Sequence, residues 1–202
     1  MTAMTRKKEL FSTSTLVKIG VLGSLGGILM LFEFPLPFAP SFMGVDLSDT
    51  PVMLSSMALG PLAGVVTSFV KIVIKLLMKP TTTGFIGELS NLVLSISIAL
   101  TVGFIYKMKK DRKGAIIAVA ATVITMSAVA LVTNAYIIYP AYVNVLGYNM
   151  SDLIALTNSL NGLVHDYWSM MFFMVVPFNV VKQGFVAILT IILLKHVEPL
   201  IR

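Results

Sequence analysis

Two long stretches of this chain, residues 116–132 and 184–194, contain no charged side chain. Apolar residues that run on without polar alternation do not build a soluble amphipathic helix or a half-buried strand; they build segments that face lipid. Only 12% of the 202 residues are charged and 57% are hydrophobic, against about 25% charged in an ordinary soluble domain. This excludes a soluble enzyme and a disordered chain. The chain contains no cysteine, which excludes a disulfide scaffold, a thiolate zinc site and a cysteine nucleophile.

The net charge of +6 is not spread evenly. Arg6, Lys7 and Lys8 precede the first apolar run; Lys107, Lys109, Lys110, Arg112 and Lys113 fall between two runs; Lys195 and Arg202 follow the last. Short basic clusters that flank apolar runs are the positive-inside signature. They lack the aromatic interleaving of a nucleic-acid surface, so no nucleic-acid partner is expected. The first apolar run has no small-residue cleavage site before it and is read as a retained span, not a signal peptide.

Spans are expected at 15–34, 51–78, 88–106, 115–139 and 169–194. Three prolines, Pro35, Pro37 and Pro40, stop the first. The stretch 51–78 contains Gly60-Pro61. Read as one pass it gives five spans and splits the basic clusters between two faces. Read as two passes hinged at Gly60-Pro61 it gives six, with every basic cluster on one face. The expectation is therefore a single all-α membrane domain over residues 1–202 with six transmembrane helices. Both termini, including a short tail 1–14, would be cytoplasmic, and a ligand pocket would lie near the extracellular face. Nine residues before the hinge cannot cross about 30 Å of hydrocarbon. That segment must start near Asp46 or be irregular and shielded, which places a cavity near residues 40–52. A polar connector at 140–168 is expected to hold an interfacial helix at 150–164 with Ser151 as its N-cap.

Polar groups inside spans are costly and need partners. Asn179 and Lys182 are three apart and share a helix face; Pro177 just before them frees a backbone carbonyl. An asparagine that donates and accepts, beside a lysine that donates, matches the edge of a flat heterocycle with carbonyls and ring nitrogens. Asn134 fits the same role or serves as helix-to-helix glue; the residue type alone leaves both open. Lys71, Lys75 and Lys79 recur every four residues along one helix face. They read as structural: Lys79 an end anchor, Lys75 snorkelling outward, and Lys71 paired internally with Glu33 or Glu88. Small residues four apart, Gly20 with Ser24 and Gly23 with Gly27, serve either internal packing or a second subunit. Met170, Met171 and Met174 fill the core or line a pocket. There is no Gly-x-x-x-x-Gly-Lys phosphate loop and no His-Glu-x-x-His motif, so neither an ATPase nor a histidine metal site is expected. Nor does a serine nucleophile motif accompany His165-Asp166.

Several strings together carry a resemblance. They are Phe34-Pro-Leu-Pro-Phe38, Asp46-Leu-Ser-Asp49-Thr-Pro51, Ala58-Leu-Gly-Pro-Leu-Ala-Gly64, Thr83-Gly-Phe-Ile-Gly-Glu-Leu-Ser-Asn91, and Pro177-Phe-Asn-Val-Val-Lys182. Over residues 15–195 the chain resembles the riboflavin-specific substrate-binding (S) component of energy-coupling factor (ECF) transporters. The resemblance implies six membrane helices and riboflavin bound near the outer face as transported ligand, with no cofactor. It also implies partnership with a transmembrane T subunit and two cytoplasmic ATPases, within membrane lipid. It implies that Asn134, Asn179 and Lys182 bond the isoalloxazine edge. Asp46, Asp49, Gly84, Glu88 and Asn91 would lie nearer the ribityl hydroxyls, and Tyr136, Tyr139, Phe178 and Trp168 would stack on the ring. Gly20, Gly23, Ser24 and Gly27 would form the T-subunit contact. The open alternatives are an S component for another vitamin and a structural membrane subunit without ligand.

Overall fold

The computed structural model describes residues 12–40 and 43–201, and most of these are helical. The cluster Arg6, Lys7 and Lys8, most of the tail 1–14, and Arg202 lie outside the described residues. Helix α1 spans Thr13–Leu29; Ser12 caps it by accepting the Thr15 N–H. It ends short of residue 34, because the chain turns and Phe34–Pro35 (β1) pairs antiparallel with Gly44–Val45 (β2). The expected hinge is present. Gly60 adopts φ 106°, a conformation that favours glycine, and separates α2 (Asp49–Leu59) from α3 (Pro61–Met78), with Pro61 in the first turn of α3. Helix α4 comes next at Ile86–Met108 and α5 at Arg112–Thr133. Asp111 caps α5 through the Gly114 N–H at 2.6 Å.

The fifth span is longer than its sequence pattern. Pro140 does not end it: α5 continues through one π-helical turn, Asn134–Ile138, into α6 (Tyr139–Leu146). The last span starts at α8 (Tyr167–Met170), passes a second π-turn, Met171–Val175, and continues as α9 (Val176–Ile201). In each case the residue closing the wide turn precedes a proline. Tyr139 N–H donates to Asn134 O, one residue before Pro140, and Val176 N–H to Met171 O, one residue before Pro177. A proline inside a helix lacks a donor and clashes with the carbonyl one turn back; widening the turn relieves this. The carbonyls left without a backbone donor find side chains. Asn161 Nδ2 donates to Phe173 O at 3.0 Å, and the Tyr167 hydroxyl donates to Ala135 O. Between these spans lies α7 (Met150–Leu160). Its N-cap is Asn149, whose Oδ1 accepts the Ser151 N–H at 3.0 Å, so the cap expected at Ser151 falls earlier in the chain. Asp166 caps α8 by accepting the Ser169 N–H, and that hydrogen bond holds its carboxyl below the usual carboxylate range.

Four of these assemblies are long and apolar enough to cross a membrane: Pro61–Met78, Ile86–Met108, Arg112–Leu146 and Tyr167–His196; α1 is a shorter apolar helix. Helix α2 has 11 residues, roughly 16 Å at 1.5 Å per residue. All its residues from Asp49 to Met57 are buried. Its Met53, Leu54 and Met57 belong to the main core with Ile98, Val102, Ala118, Met126 and Val186. Met170, Met171 and Met174 are fully buried in a second core together with Leu153 of α7.

Two features hold α2 in place. Ser56 donates to Ala99 O at 2.5 Å. Lys71, with no exposed surface, reaches across from α3 to Asp49 Oδ1 at 2.7 Å, Asn91 Oδ1 at 2.8 Å, Ser95 Oγ at 2.5 Å and Ser48 Oγ at 3.2 Å. The expected partners of Lys71, Glu33 and Glu88, are thus replaced by Asp49. The reason is geometric: the Gly60 hinge folds α2 back along α3 and carries Asp49 to the middle of that helix.

Helix α1 packs on α3 through its small residues. A Cβ on Gly23 would sit 2.5 Å from Val70 Cγ1, and one on Gly27 2.7 Å from Ile74 Cβ. The structure therefore assigns Gly23 and Gly27 to internal packing and corrects the expectation that they face a second subunit. Gly20 has open space where its Cβ would be, and Ser24 is half-buried. Gly23→Leu is expected to destabilise the protein by about 1–3 kcal/mol through overpacking. Gly20→Leu should leave the melting temperature in detergent unchanged. Lys71→Met strands the Asp49 carboxylate and should cost about 3–5 kcal/mol. Thermal unfolding should show Lys71→Met/Asp49→Asn recovering part of that loss.

Candidate functional site

A cavity of about 370 Å³ opens at one end of the helices, a size within the roughly 300–1,000 Å³ of small-molecule sites. The C-terminal ends of α1 and α3, the start of α4, the first π-turn and the start of α9 meet there. The α4–α5 turn with Lys107 to Lys113 lies at the opposite end of the 23-residue α4. Strand β2 and the residues on either side of it close one side with Met43, Gly44 and Asp46.

The two long walls differ in chemistry. On one, α5–α6 and α9 supply Asn134, Ile138, Tyr139, Tyr142, Phe178, Asn179 and Lys182. On the other, the end of α3, its connector and α4 supply Lys75, Lys79, Thr82, Thr83, Gly87, Glu88, Ser90, Asn91 and Leu94. The first wall is aromatic and amide-rich, the second hydroxyl-rich and ionic.

Both asparagines of the first wall are held alike. Asn134 Nδ2 donates to Ala130 O at 2.8 Å, and Asn179 Nδ2 donates to Val175 O at 2.8 Å. Each amide is oriented by its own helix, which leaves one N–H and the Oδ1 for a ligand. Lys182 is buried and donates to Asp46 Oδ2 at 2.8 Å. Asp46 is in turn fixed by the Ser48 N–H at 2.8 Å. The ammonium is thus paired before any ligand arrives and keeps two further donors.

On the second wall Lys75 is buried and ion-paired with Glu88 Oε1; it does not snorkel. Glu88 Oε2 accepts the hydroxyls of Thr81 at 2.9 Å and Thr83 at 3.2 Å. Asn91 lines the cavity with its other contact on Lys71, so the Lys71 network backs directly onto this wall.

Of the residues expected at the site, the structure brings together Asn134, Asn179, Lys182, Asp46, Glu88, Asn91, Tyr139 and Phe178. Asp49 sits behind the wall, paired to Lys71. Gly84 (φ 56°) and Phe85 (φ 68°) form the left-handed turn before α4, and Gly84 does not line the cavity. Tyr136 and Trp168 are corrected as well. They are exposed and stack edge-on against each other at 6.1 Å, outside the cavity. Tyr139 and Ile138 face the cavity at the end of the π-turn, and Tyr136 faces away. Lys75, Thr83, Ser90, Tyr142 and Glu33 were missed. Lys75 was detectable: it lies one turn from Lys71 on the same face, and Glu88 opens the next helix.

Comparison with known proteins gives the family of this fold. Residues 14–194 match the family model described as "ECF transporter, substrate-specific component". The chain is 26% identical over 197 residues to the riboflavin transporter RibU of Staphylococcus aureus, covering 98% of this chain and 97% of that protein. It is 25% identical to the riboflavin transporter FmnP of Bacillus subtilis, covering 91% of this chain and 92% of that one. It is 31% identical over 147 residues to RibU of Lactococcus lactis, covering 71% of each. The fold matches a solved S component of a bacterial ECF transporter with a TM-score of 0.71 at 24% identity, covering 93% of this chain and 97% of that one. A multi-pass membrane fold whose family match extends from α1 into α9 is the scaffold that carries this cavity, and the chain belongs to the substrate-specific components of ECF transporters.

Proposed function

We propose that the protein is the riboflavin-binding subunit of an ATP-driven ECF importer. The observation that carries this reading is the two-walled cavity. Asn134, Asn179 and Lys182 converge beside Tyr139 and Phe178, which suits a flat heterocycle edged with carbonyls and ring nitrogens. Thr82, Thr83, Ser90 and Asn91 opposite suit a polyol arm. The names of the matched relatives point to the same ligand.

The chain crosses the membrane six times in this reading: α1, α2, α3, α4, α5 with α6, and α8 with α9. Helix α2 counts as a pass although it is short, because burial along its length removes its backbone from lipid. Six passes leave both termini and the 107–113 cluster cytoplasmic by the positive-inside rule and put the cavity near the outer face. Riboflavin is cargo, not cofactor. The sequence holds no phosphate-binding loop, so ATP hydrolysis falls to two partner ATPases reached through a transmembrane T subunit. The exposed residues Val17, Val21 and Leu25 of α1, next to half-buried Gly20 and Ser24, are available for that subunit.

Purified protein should be yellow, with a flavin absorbance spectrum, and should quench riboflavin fluorescence on titration but leave thiamine and biotin unbound. A colourless preparation with no quenching overturns the reading; capture of another vitamin replaces the ligand and keeps the class. Asn134→Leu and Asn179→Leu each remove a donor and an acceptor from the cavity. Each should weaken riboflavin binding by roughly ten- to a hundredfold. Tyr136→Ala and Trp168→Ala should leave the dissociation constant unchanged.

A further inference from the structure

Asn91, Asn134 and Asn179 all line the cavity, but they are tethered by opposite ends. Asn134 and Asn179 are held through Nδ2, which donates to a carbonyl of the same helix, so Oδ1 and one hydrogen remain for a ligand. Asn91 is held through Oδ1, which accepts from the Lys71 ammonium at 2.8 Å. An ammonium only donates, so the atom that faces it is the amide oxygen and not the nitrogen. The Ser95 hydroxyl, one turn further along α4, is a second donor near that oxygen at 3.4 Å. Lys71 is itself held from several sides, by Asp49, Ser95 and Ser48 as well as Asn91, and has no exposed surface. Among the described residues, no protein acceptor takes the Nδ2 hydrogens of Asn91.

From this arrangement we infer that Lys71 is a positioning residue for ligand binding: through Asn91 Oδ1 it fixes the amide so that Nδ2 serves the cavity as a donor to the polyol arm. The inference rests on the riboflavin reading and deepens it. A rotated amide would set Nδ2 against the ammonium, donor against donor, and leave both short of an acceptor. The hydroxyl-rich wall therefore carries a donor of fixed direction, which a hydroxyl oxygen of the arm can accept. Holding the amide before the ligand arrives removes the cost of ordering it on binding. Lys71 does this from behind the wall and does not itself line the cavity. The plain alternative is that Lys71 only ties α2, α3 and α4 together. Its removal would then loosen the whole cavity and weaken every flavin by the same factor, with or without Asn91.

The two readings separate on the arm of the ligand and on coupling between residues. Dissociation constants for riboflavin and for lumiflavin, the same ring system with a methyl group in place of the arm, are measured by fluorescence quenching on purified full-length protein. Asn91→Ala should weaken riboflavin by roughly three- to tenfold and leave lumiflavin within about twofold of the parent. Lys71→Met/Asp49→Asn removes the ammonium together with its counter-charge and should give the same pattern. Lys71→Met/Asp49→Asn/Asn91→Ala should bind riboflavin as Asn91→Ala does, because Lys71 acts through an amide that is already gone. Loss of both flavins by the same factor, or effects at Lys71 and Asn91 that multiply, overturns the inference and leaves the riboflavin reading standing. The amide is also read directly in the parent protein, so the decision does not depend on how the Lys71 variants fold. With isotope-labelled asparagine, the side-chain amide resonances of Asn91, assigned by their loss in Asn91→Ala, should shift with riboflavin and stay in place with lumiflavin. Resonances that do not respond to riboflavin overturn the inference. A parent that binds neither flavin overturns the riboflavin reading, and the inference with it.

Discussion

A lysine ammonium without any exposed surface, 22 residues from its carboxylate partner in sequence, organises this fold. Lys71 gathers Asp49, Ser48, Asn91 and Ser95 around one nitrogen. These residues belong to the start of α2, to α3 and to α4. An isolated charge at such depth would cost several kcal/mol, so the three elements are held in the single arrangement that satisfies it. The short helix α2 depends on this most. It is too short to span a bilayer on its own length; its neighbours cover it and Lys71 anchors its first turn. Asn91 then extends the network to the cavity wall, so fold stability and the shape of the site share residues.

Two prolines shape the helices beside the cavity. The wide turn one residue upstream of Pro140 lines the cavity with Asn134 and Ile138, and the one upstream of Pro177 lies in the second core, just before Phe178 and Asn179 reach the cavity. Asn134 and Ile138, four apart, share the face toward the cavity with Tyr139 next to them, and Tyr136, two residues from Asn134, lies on the other face. The carbonyls that lose their donors are taken by Asn161 and Tyr167, whose segments precede and start the last span. The connector 161–167 is thereby fixed against the helices it joins.

Much of this was legible in the sequence and some was not. The apolar runs and the Gly60-Pro61 hinge are local patterns and are present in the fold, and the asparagine–lysine pair of the last span lies on the cavity wall. Pairings across the fold were not. Nothing near Lys182 names Asp46, 136 positions away in sequence, and nothing near Lys71 names Asp49 until the hinge angle is known. Span ends at prolines were misplaced because a π-turn absorbs a proline that an α-helix would not. The glycine pattern of α1 could not separate internal from external packing, since close approach requires small residues in either case. Tyr136 and Trp168 fit the site by residue type and depth alone, but Tyr136 lies two residues from Asn134 and so on the other face of the helix.

The pairing of charges before ligand entry bears on how such a site works. A polar cavity inside a membrane protein risks collapse or misfolding if its groups wait unpaired. Here Lys182 and Asp46 satisfy each other, Lys75 and Glu88 satisfy each other, and both asparagine amides are tethered to their own helices. The site is therefore oriented in advance, and entry of a neutral ligand adds hydrogen bonds to the spare donors and acceptors without separating any charge. Little reorganisation is needed, which is the condition under which a small number of polar contacts yields tight binding.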